Sequence, residues 1–281
     1  MTAIHPSVGP GDEPRQALRD WFARHRAVFV LTGAGVSTNS GIPDYRGADG
    51  AWKRRAPVTY QAFLNDPPTR ARYWARSFVG WPVVAAARPN GAHAALASLE
   101  QRGALSLLVT QNVDGLHERA GHAALIDLHG RIDRVVCLQC ATGLSRAEVQ
   151  QMLAESNPGW LDLQARAAPD GDADVDDRDF STFRAPQCPR CDGLLKPDVV
   201  FFGENVPRER VKRAADALAR SDGVLVAGSS LMVYSGYRFA RMAREAGLPL
   251  AILTRGVTRA DEIATLKLHA DCEATLVGAL A

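Results

Sequence analysis

The feature that most restricts this chain is a pair of Cys-x-x-Cys steps, Cys137–Cys140 and Cys188–Cys191, with residues 141–187 between them. A two-residue gap lets two thiolates on one tight turn reach the same ion, and two such turns complete a tetrahedral sulfur shell around zinc. A redox role for one pair leaves the other idle, and a cytosolic chain keeps its thiols reduced rather than bridged. The four cysteines are therefore expected to ligate one structural zinc. Four sulfurs close the shell and leave no position for water, which argues against a catalytic metal. Cys272 stands alone and reads as a small buried apolar residue.

Around this pattern the chain alternates. AVFVL (27–31), SLLVT (106–110), VLVA (224–227) and LAIL (250–253) are short apolar runs. Amphipathic segments lie between them: HAALASLEQRG stopped by Gly103, VPRERVKRAADALARSDG from Pro207 to Gly223 with Val211, Ala215 and Leu218 on one face, and YRFARMAREAG stopped by Gly247. EPRQALRDWFARH opens the series with Leu18, Trp21 and Phe22 at helical spacing. Strands alternating with helices predict an α/β fold, a parallel sheet covered on both faces. Residues 131–199 break the alternation with both cysteine pairs, one helix (SRAEVQQMLAES) and an acidic run at 170–179, read as a solvated insertion loop. Residues 48–91, rich in Trp and Tyr, form a helical excursion. The expected partition is a dinucleotide-binding domain of residues 1–47, 92–130 and 200–281, the excursion at 48–91, and a zinc module at 131–199.

Composition excludes several classes. With 46% hydrophobic and 23% charged residues the 281-residue chain has a globular balance, and a net charge of +2 gives no broad attraction for nucleic acid. No apolar stretch approaches the ~18–20 residues of a membrane span. The N-terminus has neither a signal-peptide nor a transit-peptide pattern, so a cytoplasmic protein with no membrane or nucleic-acid partner is expected.

Three polar loops follow predicted strands. Gly33-Ala34-Gly35 comes directly after the first, with Ser37 beyond; Thr38 takes the third glycine position, so the dinucleotide fingerprint is incomplete. The chain then leaves the sheet through Gly41-Ile42-Pro43-Asp44-Tyr45-Arg46-Gly47, where proline ends any helix begun at Ser37. Thr110-Gln111-Asn112-Val113-Asp114-Gly115-Leu116-His117 follows another strand, and Asp127-Leu128-His129-Gly130 a third. Open α/β sheets bind ligands at the carboxyl ends of their strands, so these loops point to a polar small-molecule pocket.

TGAGVSTNSGIPDYR, TQNVDGLHERAG, LHG, the two cysteine pairs, KPDVVFFGE and GSSLMVYSG occur together and in order. The chain thereby resembles the sirtuins, NAD-dependent protein-lysine deacylases, from about residue 27 to 275. PDYR, GSSLMVYSGYR and the Cys272 tail are most similar to the class II branch, which includes a mitochondrial sirtuin and bacterial relatives. The resemblance implies a Rossmann-like domain holding NAD beside a small module with one structural zinc. It implies that Gly33, Ala34, Gly35, Ser37 and Thr38 meet the phosphates and ribose, and that Asp44, Tyr45 and Arg46 belong to a cofactor-binding loop. Asn112 and Asp114 would line the nicotinamide pocket as catalytic residues beside Val113, Gln111 would bind the adjacent ribose, and Gly228, Ser229 and Ser230 would hold the adenosine half. Thr254, Arg255, Gly256 and Cys272 would border the adenine.

The implied reaction begins when the acyl-lysine amide oxygen attacks the anomeric carbon of the nicotinamide ribose. Nicotinamide leaves, and His129 acts as general base on a ribose hydroxyl toward 2′-O-acyl-ADP-ribose. Val199, Val200, Phe201, Phe202, Gly203 and Glu204 would pair, as an edge strand, with the acylated substrate protein. Protein mono-ADP-ribosyl transfer is the alternative within the family. A dehydrogenase would share the sheet but leave the cysteines idle, and a zinc-ribbon nucleic-acid binder is opposed by the acidic run at 170–179. Many sirtuins carry Asn where this chain has Leu253-Thr254-Arg255-Gly256. The basic cluster Trp52-Lys53-Arg54-Arg55 suggests a cation for an acidic acyl group.

Overall fold

The computed structural model describes residues 12–281 except 46, 48, 52, 54–56, 162–165, 169–170 and 176–177. In chain order its elements are α1 (Glu13–Arg24), β1 (Val28–Thr32), α2 (Tyr60–Asn65), α3 (Pro67–Ala86), α4 (Gly91–Gln101), β2 (Leu105–Thr110), α5 (Leu116–Arg119), β3 (Leu125–Asp127), β4 (Gly130–Cys137), β5 (Gly143–Ser145), α6 (Arg146–Ser156), β6 (Arg166–Ala168), β7 (Asp172–Asp174), β8 (Leu195–Val199), α7 (Arg208–Leu218), β9 (Gly223–Ala227), α8 (Tyr234–Glu245), β10 (Leu250–Leu253), β11 (Leu266–Leu268) and α9 (Cys272–Leu280).

Six strands form one parallel sheet in the order β3-β2-β1-β9-β10-β11. This is the doubly wound order, in which the chain runs outward from β1 in one direction and then in the other. Apolar runs serve here because both faces are covered. Alternate residues of β1 point to opposite faces: Val28 and Val30 join a core with α1, α4 and α9, while Phe29 and Leu31 join another with α7 and α8. Among the described residues no helix is long and apolar enough to cross a membrane.

A second unit packs beside the sheet. β4 pairs antiparallel with β5 and β8, and β6 with β7. Phe63 of α2 and Trp74 and Phe78 of α3 share one core with Ile132 and Val135 of β4, Val149 and Leu153 of α6, and the buried cysteines Cys137 and Cys188. Arg146 ties the parts together. Fully buried, it donates to the carbonyl of Ser77 at 3.1 Å and lies over the rings of Trp74 and Trp81. Desolvation pushes its pKa down to about 10.

Four expectations change. The helix from Pro207 ends at Leu218, and Gly223 opens β9 instead of closing the helix; its buried residues are Ala214, Ala217 and Leu218. After β1 come two short 3-10 turns, Ala34–Val36 and Thr38–Ser40, ended by Gly41 in the left-handed region before Pro43 is reached. The run at 170–179 is not a solvated loop throughout: Ala173 and Val175 are buried, and β7 docks on α3 through a two-pronged contact from Arg76 to Asp172. The regular strand before Phe201 is Leu195–Val199, not 199–204. Beyond it the chain turns, because Glu204 accepts the Phe201 N–H at 2.9 Å and pairs with buried Lys196 at 3.0 Å. The remaining bridge is parallel, Thr59 to Phe202.

Candidate active site

The loops after β1 and β9 meet at the point where strand order reverses. The Gly35 N–H donates to the Gly228 carbonyl at 2.8 Å, and a Cβ on Gly35 would lie 2.8 Å from the Gly228 Cα. Gly228 itself has φ +65, which side chains disfavour. Glycine is thus required here for two backbones to touch, a reason the sequence did not reveal.

A cleft of about 1010 Å³ opens at this edge. Gly33, Ala34, Gly35 and Thr38 line it, as do Asp44 and Tyr45; Arg46 lies outside the described residues. Gln111, Asn112, Val113 and His129 line it from the β2 and β3 ends, Gly228, Ser229 and Ser230 from the β9 end, Thr254, Arg255, Gly256 and Cys272 from the β10 end. Val199 through Glu204 line it from the second unit. Residues scattered over the sequence thus converge because parallel strands all end at one edge.

Two expected residues stand behind the wall. Ser37, fully buried, donates to Asp114 Oδ2 at 2.7 Å and accepts from Asn112 Nδ2 at 3.0 Å. Asp114 Oδ1 accepts the Leu116 N–H at 2.8 Å. Asn112 therefore faces the cleft on a fixed, buried support. Gln111 Nε2 donates to Ser229 Oγ at 2.7 Å, linking the β2 and β9 loops. Arg255 pairs with Asp271 at 2.9 Å and is largely exposed.

His129 sits just past β3. Its Nδ1 is 2.9 Å from the Gln111 carbonyl and its Nε2 is 2.8 Å from Ser235 Oγ. A carbonyl only accepts, so Nδ1 carries the proton and Nε2 presents its lone pair. Desolvation drives the His129 pKa down to about 4; the Gln111 carbonyl opposes the shift, and Arg210 and Arg238 reinforce it. The imidazole is neutral at pH 7. His117, the other histidine in these loops, is buried against Thr32 at 3.0 Å and does not line the cleft.

The four cysteine sulfurs lie within 4.8 Å of one another, with Cys137–Cys191 at 3.6 Å and Cys140–Cys188 at 3.7 Å. A tetrahedron of thiolates about 2.3 Å from one zinc requires sulfur separations of about 3.8 Å, so the set fits that ion. Both turns repeat one pattern: Ala141 N–H donates to the Cys137 carbonyl and Asp192 N–H to the Cys188 carbonyl, with Ala141 and Asp192 at positive φ.

Sequence reasoning missed three cleft residues. Ser235 was inside a recognised motif but unassigned; its signal was its place at the start of the helix that follows β9. Arg76 and Asp172 had no signal, since 96 positions separate the pair. Lys53 contacts the Asp44 carboxylate, while Trp52, Arg54 and Arg55 lie outside the described residues.

Fold and cleft together define an α/β protein with a doubly wound nucleotide-type sheet and a sulfur-ligated module at its ligand edge. The chain belongs to the Sir2 family, which matches residues 33–235. It is 57% identical over 276 residues to an NAD-dependent protein deacetylase of Xanthomonas campestris pv. campestris (strain 8004), covering 98% of this chain and 92% of that one. A Bordetella bronchiseptica NAD-dependent protein deacetylase is 58% identical over 261 residues, covering 93% and 95%. Among solved structures, a Sir2 variant with a p53 peptide and NAD superimposes with TM-score 0.74 at 31% identity, covering 93% and 95% of the two chains. A Sir2 variant with deacetylated p53 peptide and 3′-O-acetyl ADP-ribose gives TM-score 0.76 at 30% identity, covering 94% and 96%.

Proposed function

We propose that this chain is an NAD-dependent protein-lysine deacylase of the deacetylase type, a cytoplasmic enzyme that consumes NAD and an acylated lysine and yields nicotinamide and 2′-O-acyl-ADP-ribose. The observation that carries this reading is the neutral imidazole of His129, its lone pair held at the cleft of a Sir2-family fold.

Residues 1–47, 92–130 and 200–281 hold NAD as co-substrate, 131–199 form the zinc module, and 48–91 are the helical excursion. Gly33, Ala34 and Gly35, which carry at most one methyl group, let phosphate and ribose approach the backbone beside Thr38, and Asp44, Tyr45 and Arg46 belong to the loop that binds the cofactor. Gly228, Ser229, Ser230, Thr254, Arg255, Gly256 and Cys272 receive the adenosine half. Asn112, backed by Ser37 and Asp114, orients the nicotinamide end beside Gln111 and Val113. These groups position the sugar and tolerate positive charge as nicotinamide departs, which is orientation plus electrostatics. His129 Nε2 then takes the proton of a ribose hydroxyl, so the oxygen can attack the acyl carbon, from which the lysine nitrogen departs as the free amine.

The substrate protein adds along Val199–Glu204. Main-chain pairing there supplies affinity with little sequence demand, which suits an enzyme acting on many acylated proteins. Glu204 contributes by holding the turn, since Lys196 and the Phe201 N–H already engage it. The zinc, bound by Cys137, Cys140, Cys188 and Cys191, holds the β4–β8 sheet in place.

The test is turnover with NAD and an acetyl-lysine peptide, assaying nicotinamide and O-acyl-ADP-ribose together. His129→Ala lowers kcat by about 10²–10⁴-fold with NAD binding kept. A variant as active as the parent removes the reading. Peptide gaining ADP-ribose mass rather than losing the acyl group establishes ADP-ribosyl transfer in its place.

A further inference from the structure

The hydroxyl facing His129 is the group that the residue roles above leave unused. Ser235 lies in the first turn of α8, half-buried at the cleft, with Oγ 2.8 Å from His129 Nε2. The Gln111 carbonyl on Nδ1 fixes the tautomer, so Nε2 has no proton to give and Ser235 must donate. The position of that serine is also over-determined. A Cβ on the next residue, Gly236, would fall 2.3 Å from Gln111 Oε1, so α8 starts in direct contact with the loop that holds the other side of the imidazole. Helix and loop thus grip one ring from its two nitrogens.

We propose that Ser235 is a positioning residue for the His129 base: its hydroxyl caps Nε2, keeps the ring edge aimed into the cleft, and yields that site to the ribose hydroxyl when the dinucleotide binds. No bond is made or broken by the serine. On binding, its donated hydrogen bond to Nε2 is exchanged for one from the ribose, and the proton later transferred to Nε2 is the ribose proton. The proposal rests on the reading of His129 as the base. The charged groups acting on the imidazole are Arg210 from α7 and Arg238 from α8, both cations. A donor on Nε2 adds to their effect in keeping the ring neutral, and its removal makes the ring easier to protonate.

The experiment uses full-length, zinc-loaded enzyme labelled with 15N-histidine, the His129 resonances being identified by their loss in His129→Ala. In Ser235→Ala the Nε2 signal moves toward the value of a lone pair without a donor, and the acid limb of kcat/KM shifts upward by about half a pH unit to one unit. kcat/KM for NAD falls about three- to tenfold, because the uncapped ring is aimed into the cleft for only part of the free enzyme's time, while kcat, read after the serine has yielded its site, changes less than about twofold. Ser235→Thr restores the signal, the acid limb and most of the rate. Alanine is a strong helix former, so the first turn of α8 persists in the variant. An unmoved Nε2 signal with unchanged kcat/KM overturns the proposal, as does equal loss of rate in the Ala and Thr variants with an unmoved acid limb. Full activity of His129→Ala instead overturns the deacylase mechanism, and the nitrogen signal still reports whether serine caps the ring.

Discussion

The sheet unit and the cysteine unit hold themselves together by different means. In the first, Val28, Phe29, Val30, Leu31, Val224, Leu225 and Val226 are fully buried in central strands that helices cover on both faces. In the second, one core is assembled from α2, α3, β4, α6 and β8 around a three-stranded antiparallel sheet, and it includes the cysteines Cys137 and Cys188. A small three-stranded sheet gains from a cross-link, and the four sulfurs fit one. The cleft lies where the robust unit presents loops and the cross-linked unit presents Val199–Glu204.

That contrast is open to attack. Its largest expected effect comes from removing the metal ligands. Cys137→Ser, or a strong zinc chelator, is expected to abolish deacylation and melt the β4–β8 unit, because structural zinc in small modules contributes on the order of 10 kcal/mol to folding. Hydrogen exchange should show β4, β5 and β8 losing protection while β1, β9 and β10 retain theirs. Simultaneous loss in all six strands would make the two units one cooperative body and dissolve the comparison.

Acid probes the opposite side. His93, at the start of α4, has its pKa lowered to about 4, first by burial, with Asp114 opposing and His122 reinforcing the shift. His117, between them, is held well below its ordinary value by burial and then by His93 and His122. The unfolded chain takes up protons on these rings near pH 6.5, but the folded chain does not until about pH 4 for His93. In that window the unfolded state binds more protons, so stability is present above pH 6.5 and is lost as pH falls. A decrease on the order of 1–2 kcal/mol from His93 alone between pH 7.5 and pH 5.5 should appear in urea unfolding followed by the fluorescence of Trp21, which packs in the sheet unit. A flat profile would mean that the folded chain takes up protons on these rings over the same pH range as the unfolded chain.

The smallest effect is local to the cysteine unit. Ser145 caps α6 by accepting the Glu148 N–H at 3.1 Å, and Glu148 returns the contact to the Ser145 N–H at 2.7 Å. Ser145→Ala should cost about 1 kcal/mol. The loss should register as faster exchange in α6 and β4, with α4 and α9 unchanged. Equal destabilisation of both helix groups would again argue against two separately supported regions.

Much of this was legible before any coordinates. Buried parallel strands need unbroken apolar runs, so 27–31, 106–110, 224–227 and 250–253 announced themselves, and SRAEVQQMLAES stood out as one helix. The cysteine spacing stated its ligand set outright. Less legible were features decided across long separations. The acidic run looks like solvent-facing coil in isolation, yet Arg76 captures Asp172 and Ala173 is buried against α3. VVFFGE looks like a strand by composition, but Lys196 and the Phe201 amide pull Glu204 inward and end the strand at Val199.

By itself, then, the amino-acid order determined the kinds of element, the sulfur ligands and which loops would meet at one edge, since hydrophobic period, turn chemistry and short ligand spacing are local quantities. The tertiary structure alone decided that Gly35 touches Gly228, that Ser37 and Asp114 stand behind Asn112, and that Ser235 faces His129 across 106 intervening steps of chain. Those contacts arise from packing a helix start against a strand end, and nothing in the local pattern of either segment encodes the distance between them.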